Sequence, residues 1–312
     1  MPKHSLLVIG VLATLVCLFA QPTRAQNWPQ FRGPNGAGVT EAKDLPVEFG
    51  PAKNVVWKTT LPAGHSSPVL TKEHVFVTAY DASKLYVIAL NRADGKILWQ
   101  REVPKPRKQA LHKSNSPASP SVVTDGRNVY AFFTDFGLIA FSVAGEEKWR
   151  MPLGPFNNPF GMGASPILAD DTLLLNCDSE TGSFFIAVDK QTGKLKWRVE
   201  RPEATRGFAT PILFKPAKAP LQVLVAGALK LTAYDVATGK ELWWMRGLTW
   251  QLKPTPVLGK DRLYVLGWAG GADPGEQEVI PPFADALKKY DTNQDGKIAR
   301  AEMSDQRIAR LG

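Results

Sequence analysis

Cysteine is almost absent: the 312-residue chain has two, Cys17 and Cys177. Cys17 lies in an N-terminal segment expected to be removed on export. Cys177 then stands alone, and no internal disulfide can form. In the apolar stretch Leu173–Cys177 it reads as a small buried hydrophobe rather than a nucleophile. Long apolar runs are equally scarce. Leu6–Ala20 spans 15 residues, too short and wrongly flanked to cross a bilayer. It follows Lys3 and His4 and precedes Thr23-Arg24-Ala25, so residues 1–25 read as a signal peptide cleaved before Gln26. A lipoprotein signal at Cys17 is disfavoured, because Val16 stands where a small residue is wanted. The mature chain is therefore expected to be periplasmic or secreted, with no transmembrane segment. No Ser-His-Asp arrangement and no glycine-rich phosphate loop can be read from spacing.

Acidic residues are fewer than basic ones, 29 against 38, for a net charge of +9. Part of the excess sits in Lys105, Arg107, Lys108 and Lys113, a loop punctuated by proline. It reads as a solvated loop, with a patch for anionic lipid or polysaccharide as the sharper alternative. Export argues against a nucleic-acid partner.

What the chain does have is nine Trp, 26 Gly and 25 Pro, a mixture that suits short strands and tight turns. Two markers recur. A Gly precedes a Trp by four residues at Gly95–Trp99, Gly145–Trp149, Gly193–Trp197 and Gly239–Trp243, with Trp spacings of 50, 48 and 46. Three copies share Asn/Asp-x-x-Asp/Thr-Gly-Lys, hairpin chemistry in which Gly accepts a positive φ. The second marker, Ser-Pro or Thr-Pro, opens an apolar strand at Ser67-Pro68, Ser119-Pro120, Ser165-Pro166, Thr210-Pro211 and Thr255-Pro256. Between the markers the pattern predicts strands over 75–80, 85–91 and 96–103, and again over 172–177, 184–189 and 194–200.

Each unit is thus four short strands, and units of this length read as propeller blades. The expected fold is all-β: a β-propeller over residues 26–270, with complete blades at 65–103, 116–151, 163–200 and 208–246. The four repeat tryptophans pack between neighbouring sheets. A fifth blade starts at Thr255 and runs through Leu263–Trp268, supplying two strands. Asn54–Leu61, with Trp57, looks like a closing outer strand without its blade. The propeller is therefore expected to be incomplete, its remaining blades beyond Gly312; a strained five-bladed ring is the alternative.

The last segment, 279–312, carries Asp291-Thr-Asn293-Gln-Asp295-Gly296-Lys297-Ile-Ala-Arg-Ala-Glu302. Oxygen donors at positions 1, 3, 5 and 12 with Gly at 6 make an EF-hand calcium loop. Asp291, Asn293, Asp295 and Glu302 would ligate through side chains, Lys297 through its carbonyl, and position 9 (Ala299) through water. Phe283, Leu287 and Tyr290 have helical spacing before the loop, and a second helix is expected from Ala301 to Leu311. Ile298, at position 8, would be the pairing residue of a second loop, and none is visible.

The repeated Asp-x-x-Thr-Gly-Lys-x-x-Trp resembles the quinoprotein-type (PQQ-like) β-propeller repeat family. Asn27-Trp-Pro-Gln-Phe-Arg-Gly-Pro-Asn-Gly36, Gly64-His-Ser-Ser-Pro68, Asn115–Pro120 and Asp178–Ser183 are similar to an exported bacterial subgroup in which an EF-hand is inserted in a blade. The resemblance implies either a quinone-dependent oxidoreductase of alcohols or sugars, or a non-catalytic relative such as the propeller of the outer-membrane barrel-assembly machine. The dehydrogenases hold pyrroloquinoline quinone with calcium and often a disulfide of adjacent cysteines. This chain has no adjacent cysteines, no Cys-x-x-Cys-His for a c-type haem, and no residue matched to a catalytic Asp or a quinone ligand. The reading is therefore a calcium-binding binding or scaffold module for a protein or polysaccharide ligand. His65, His112 and Arg206, near blade edges, are the polar residues that could line a central site.

Overall fold

The computed structural model describes residues 27–43, 45–109, 111–267, 282–299 and 302. The expected signal peptide, Trp268 and all but Glu302 of the expected second EF-hand helix lie outside these residues.

Four antiparallel four-stranded meanders follow one another. The first holds β1 (Val69–Leu70), β2 (His74–Tyr80), β3 (Leu85–Asn91) and β4 (Ile97–Val103); the second β5 (Val123–Thr124), β6 (Asn128–Phe133), β7 (Gly137–Ser142) and β8 (Glu147–Pro152). The third holds β9 (Ile167–Ala169), β10 (Thr172–Cys177), β11 (Phe184–Asp189) and β12 (Leu195–Glu200); the fourth β13 (Ile212–Phe214), β14 (Gln222–Ala226), β15 (Lys230–Asp235) and β16 (Glu241–Arg246). A fifth sheet has two strands, β17 (Val257–Leu258) and β18 (Leu263–Tyr264). The middle strands are buried almost throughout and the outer strands mostly exposed. Sheets stacked face to face produce that gradient, because only the outermost strand meets solvent on its edge. These are the expected blades, unclosed among the described residues. Among the described residues the one α-helix, α1 (Phe283–Tyr290), lies in the C-terminal segment, and no described helix is long and apolar enough to cross a membrane.

The core is a series of layers between consecutive sheets. Val87 and Phe76 of the first blade meet Ile139 and Phe133 of the second. Phe132 and Leu138 then meet Leu175 and Ile186, and Phe185 meets Val223 and Tyr234.

Each layer ends at a tryptophan that docks on the next blade, not on its own turn. Trp99 donates Nε1–H to Val143 O, Trp149 to Lys190 O and Trp197 to Val236 O, at 2.8, 2.9 and 3.0 Å. The ring lies on the turn glycine beyond: a Cβ on Gly145, Gly193 or Gly239 would come within 2.8, 2.6 and 2.8 Å of the Trp99, Trp149 and Trp197 rings. Those glycines have φ of +85°, +71° and +74°, so both the backbone and the indole demand glycine. Opposite every such Trp is an alanine: Ala89, Ala140, Ala187 and Ala233. The ladder slips by one residue there, because the residue before each Trp has no partner; this β-bulge aims the ring out of the sheet.

Trp57 makes the same dock on the first blade, through Arg92 O at 3.0 Å and against Gly95. The expected strand over 54–61 is not formed, however. Among the described residues no third strand stands beside it to supply ladder bonds. Trp243, at the other end, turns its Nε1–H to Gln222 Oε1 of its own sheet instead.

Near the axis a second link runs through hydroxyls. Ser67 N–H donates to Ser121 Oγ, Ser121 N–H to Ser165 Oγ, and Ser165 N–H to Thr210 Oγ1, at 2.9–3.0 Å. The second blade's member is thus Ser121, not the expected Ser119, which instead closes a turn with Ser116. The marker there is out of phase by two residues. The next residue in the series, Thr255, has a buried Oγ1 with no partner among the described residues. Asn27–Gly36 crosses these inner strands: Trp28 bridges Leu70, Pro29 O accepts Thr124 N–H, and the Asn35 amide bonds both ways to Leu213.

Gly193→Ala is expected to lower unfolding stability by about 2–3 kcal/mol, through backbone strain and loss of the indole dock. Trp149→Phe, which orphans Lys190 O, should cost about 1 kcal/mol. Urea unfolding of the double variant should show less than the sum, since both remove one contact.

Candidate functional site

The connections between blades and the β2–β3-type hairpins gather at one end of the stack. The chemistry-bearing side chains there come from sequence positions far apart. Asp178, just past the end of β10, is fully buried and meets Arg201, just past β12, through Nε–Oδ1 at 2.7 Å and Nη2–Oδ2 at 3.1 Å. Asn176 Nδ2 donates to the same carboxylate at 3.1 Å, and Arg201 Nη1 donates to Tyr234 Oη at 2.6 Å. Burial works against the Arg201 charge, yet Asp178 and Tyr234 hold its pKa above the usual guanidinium value. Two glycines make the room. A Cβ at Gly207 would strike Asp178 Oδ2, and one at Gly227 would lie 2.5 Å from Arg201 Nη2. Neither Asp178 nor Arg201 was marked as a pair by the sequence. Its one signal was a charge placed directly after an apolar run.

Arg206, which could have lined a central site, is clamped as a loop residue. It pairs with Glu180, and its guanidinium lies 5.3 Å from the Phe160 ring and 5.4 Å from the Trp250 ring. His112 also packs on Phe160, tilted by 45° at 5.7 Å between centroids, so the structure brings Arg206 and His112 to one aromatic ring. His65 is not with them: it is exposed and bonds through its backbone to Ala118 O.

The basic loop is only half as solvated as expected. The Lys105 side chain is 10% exposed and faces buried Asp135 at 4.0 Å. Arg107 donates to Thr134 O and Leu153 O, and Gln109 N–H to Asp135 Oδ1 at 3.0 Å. Lys108 and Lys113 remain exposed. A chain carbonyl or carboxylate thus engages each of Lys105, Arg107, Arg201 and Arg206. These four cations are engaged within the chain and are not turned to an acidic cofactor such as pyrroloquinoline quinone. Cys177 is buried in β10, and burial pushes its thiol pKa up, which suits the packing reading.

The C-terminal loop begins where α1 ends. The helix carries Asp285 in its first turn and Lys288 and Lys289 in its last, which favours the helix dipole at both ends. Of its expected apolar face, Tyr290 is 3% exposed but Phe283 is 65% exposed. Asp291 accepts the Asp295 and Gly296 N–H groups at 3.2 and 2.9 Å. Asn293 Oδ1 accepts Asp295 N–H, and Asp295 Oδ1 accepts Lys297 N–H. Gln294 and Gly296 have φ of +60° and +75°, folding the loop tightly on itself. Glu302 reaches back to Thr292, Asn293 and Ala299 N–H groups; the Ala299 bond and the Thr292 hydroxyl hold its carboxyl below the usual range. The carboxylates spend themselves on loop amides here, and among the described residues no three His, Cys, Asp or Glu side chains gather as a metal group. The donor set is nonetheless all oxygen, the chemistry a hard cation requires.

A family model described as "Outer membrane protein assembly factor BamB" matches residues 39–159 and 145–272. The chain belongs to this PQQ-like propeller repeat family. No curated protein matches it. Among solved structures, a quinohemoprotein alcohol dehydrogenase from Comamonas testosteroni is similar at a TM-score of 0.58 and 16% identity, over 77% of this chain and 44% of that one. BamB from Moraxella catarrhalis is similar at 0.47 and 17%, over 68% and 57%. The quinohemoprotein alcohol dehydrogenase ADHIIG from Pseudomonas putida HK5 is similar at 0.47 and 16%, over 61% and 35%. The chain spans about a third to somewhat over half the length of these structures, and the likeness speaks to the PQQ-like fold alone.

Arg201→Met should cost about 3–5 kcal/mol of unfolding free energy, because it strands the Asp178 charge in the interior. Adding Asp178→Asn should recover part of that loss. Chemical denaturation of the three proteins is the measurement.

Proposed function

We propose that this PQQ-like repeat protein is an exported, calcium-binding binding or scaffold module rather than an oxidoreductase. The observation that carries the reading is the mutual pairing of charged side chains at the connection end: Asp178 with Arg201, Glu180 with Arg206, Asp135 with Lys105. Groups committed to one another in the ground state are held as structure, and a catalyst needs at least one poised for its substrate. The oxygen-rich Asp291–Glu302 loop supports the calcium part. Asp291, Asn293, Asp295 and Glu302 would offer side chains and Lys297 its carbonyl, and the ion would replace the loop amides as partner of the carboxylates. The partner would be a protein or a polysaccharide outside the cytoplasm. The printed description of the matching family favours a second reading, a role in outer-membrane protein assembly.

Calcium titrated calorimetrically into the mature protein should bind once, in the weak range of extracellular modules, about 10⁻⁴–10⁻³ M. Glu302→Gln should weaken it about tenfold or more, through loss of a bidentate anionic ligand. Incubation with calcium and pyrroloquinoline quinone should leave no stoichiometric quinone in the absorbance spectrum after desalting. Retained quinone with dye-linked alcohol oxidation would overturn the non-catalytic reading. Co-purification with an outer-membrane barrel-assembly complex would favour the assembly role over other partners.

A further inference from the structure

Bordering the Asp178–Arg201 pair, a cleft of about 210 Å³ opens between the third and fourth blades, lined in part by Arg201, Glu203, Lys230, Thr232, Tyr234 and Glu241. Lys230, Thr232 and Tyr234 alternate along β15 and so share one face of the sheet. Trp244 is the cross-strand partner of Thr232 and stands on that same face. Trp244 is 52% exposed, unlike the docking tryptophans. Two cations hold it: Lys230 Nζ lies 5.6 Å from the ring centre and Arg246 Cζ 5.2 Å. Glu241 and Glu203 face the same lysine at 3.3 and 3.8 Å, and Glu203 faces Arg246 at 3.6 Å. The rim charges therefore cancel locally, which favours a neutral ligand.

At the cleft wall, Thr232 is 2% exposed, and its hydroxyl makes no hydrogen bond to another described residue. Tyr234 Oη accepts from Arg201 and still has its own proton to donate. An exposed, immobilised aromatic face beside unspent hydroxyls and a pair of carboxylates is the complement of a pyranose. One face of that ring is C–H-rich and apolar, and its edge carries hydroxyls that donate to carboxylates. The volume falls below the about 300–1,000 Å³ of sites for drug-sized ligands, so it holds one sugar ring while its neighbours extend over Trp244.

We propose that this cleft is a binding site for a neutral polysaccharide chain, with Trp244 as the stacking platform and Thr232, Tyr234, Glu203 and Glu241 as hydrogen-bonding groups. The proposal rests on the reading of the protein as a binding module, and gives that module a ligand class and a place.

Saturation-transfer NMR with neutral hexasaccharides of β-glucose, α-glucose, β-mannose and β-xylose tests it. At least one should receive saturation, strongest at ring C–H protons. Trp244→Ala should weaken that ligand about tenfold or more, and the near-isosteric Thr232→Val should weaken it less. Tyr264→Ala, at an equally exposed aromatic in the fifth sheet, should leave binding unchanged. No transfer to any hexasaccharide, or transfer that survives Trp244→Ala, overturns the proposal. So does a Trp244-dependent signal from a mixed-sequence octapeptide in place of the sugars, which would point to a protein ligand. Calcium binding at Asp291–Glu302 is read out separately, so failure at the cleft leaves the calcium-binding module intact as a reading, and loss of calcium binding does not imitate failure at the cleft.

Discussion

The structure depends on one inter-blade contact: an indole laid over a turn glycine of the following sheet, its N–H given to a carbonyl of the same turn. Everything about the repeat serves it. The glycine supplies the positive φ and the missing Cβ. The bulge before each Trp turns the ring outward, and the alanine opposite leaves the strand slim beneath it. Apolar burial between the sheets provides most of the cohesion but sets no direction. The dock adds geometry, because an N–H donor and a flat ring can be satisfied in one orientation only.

This explains what could be read in advance. Gly and Trp at a fixed offset are rare residue types in a rigid phase, so the blades were legible, and with them the middle strands read for the first and third, 85–91, 172–177 and 184–189 to the residue. The offset misled in one respect: the glycine four residues before a Trp serves the Trp of the blade before it. Ser119 was misleading for a related reason. A Ser-Pro pair is common in any loop, whereas the functional feature is a hydroxyl placed to accept an amide from the blade behind, which Ser121 does. Asp178 and Arg201 were not legible as a pair, since nothing local distinguishes an acid and a base 23 residues apart from solvated ones. The role of Asn35 was further out of reach, its partner Leu213 lying 178 residues away.

The two regions with functional character differ in how they are built. The connection end is assembled from four loops and hairpins and closes its own charges, so it is rigid and costly to alter. The Asp291–Glu302 loop is local: every hydrogen bond in it spans at most ten residues. The carboxylates of this loop bond to its own amides, so its contacts are set by residues adjacent in sequence. The cleft beside Trp244 lies between these extremes, since its wall is made of ordered strands while its rim is solvent-exposed.

The hydroxyl links near the axis all point the same way: each blade gives an amide N–H and the next receives it. The indole docks share that sense. Each of the first three blades is therefore a part with a plug at one side, and the blade after it carries the matching socket. In-frame duplication or excision of one Trp-to-Trp segment would leave every remaining joint of the same kind as before. Such a gene can change the number of its blades by simple recombination, without any accompanying substitution to repair the seams.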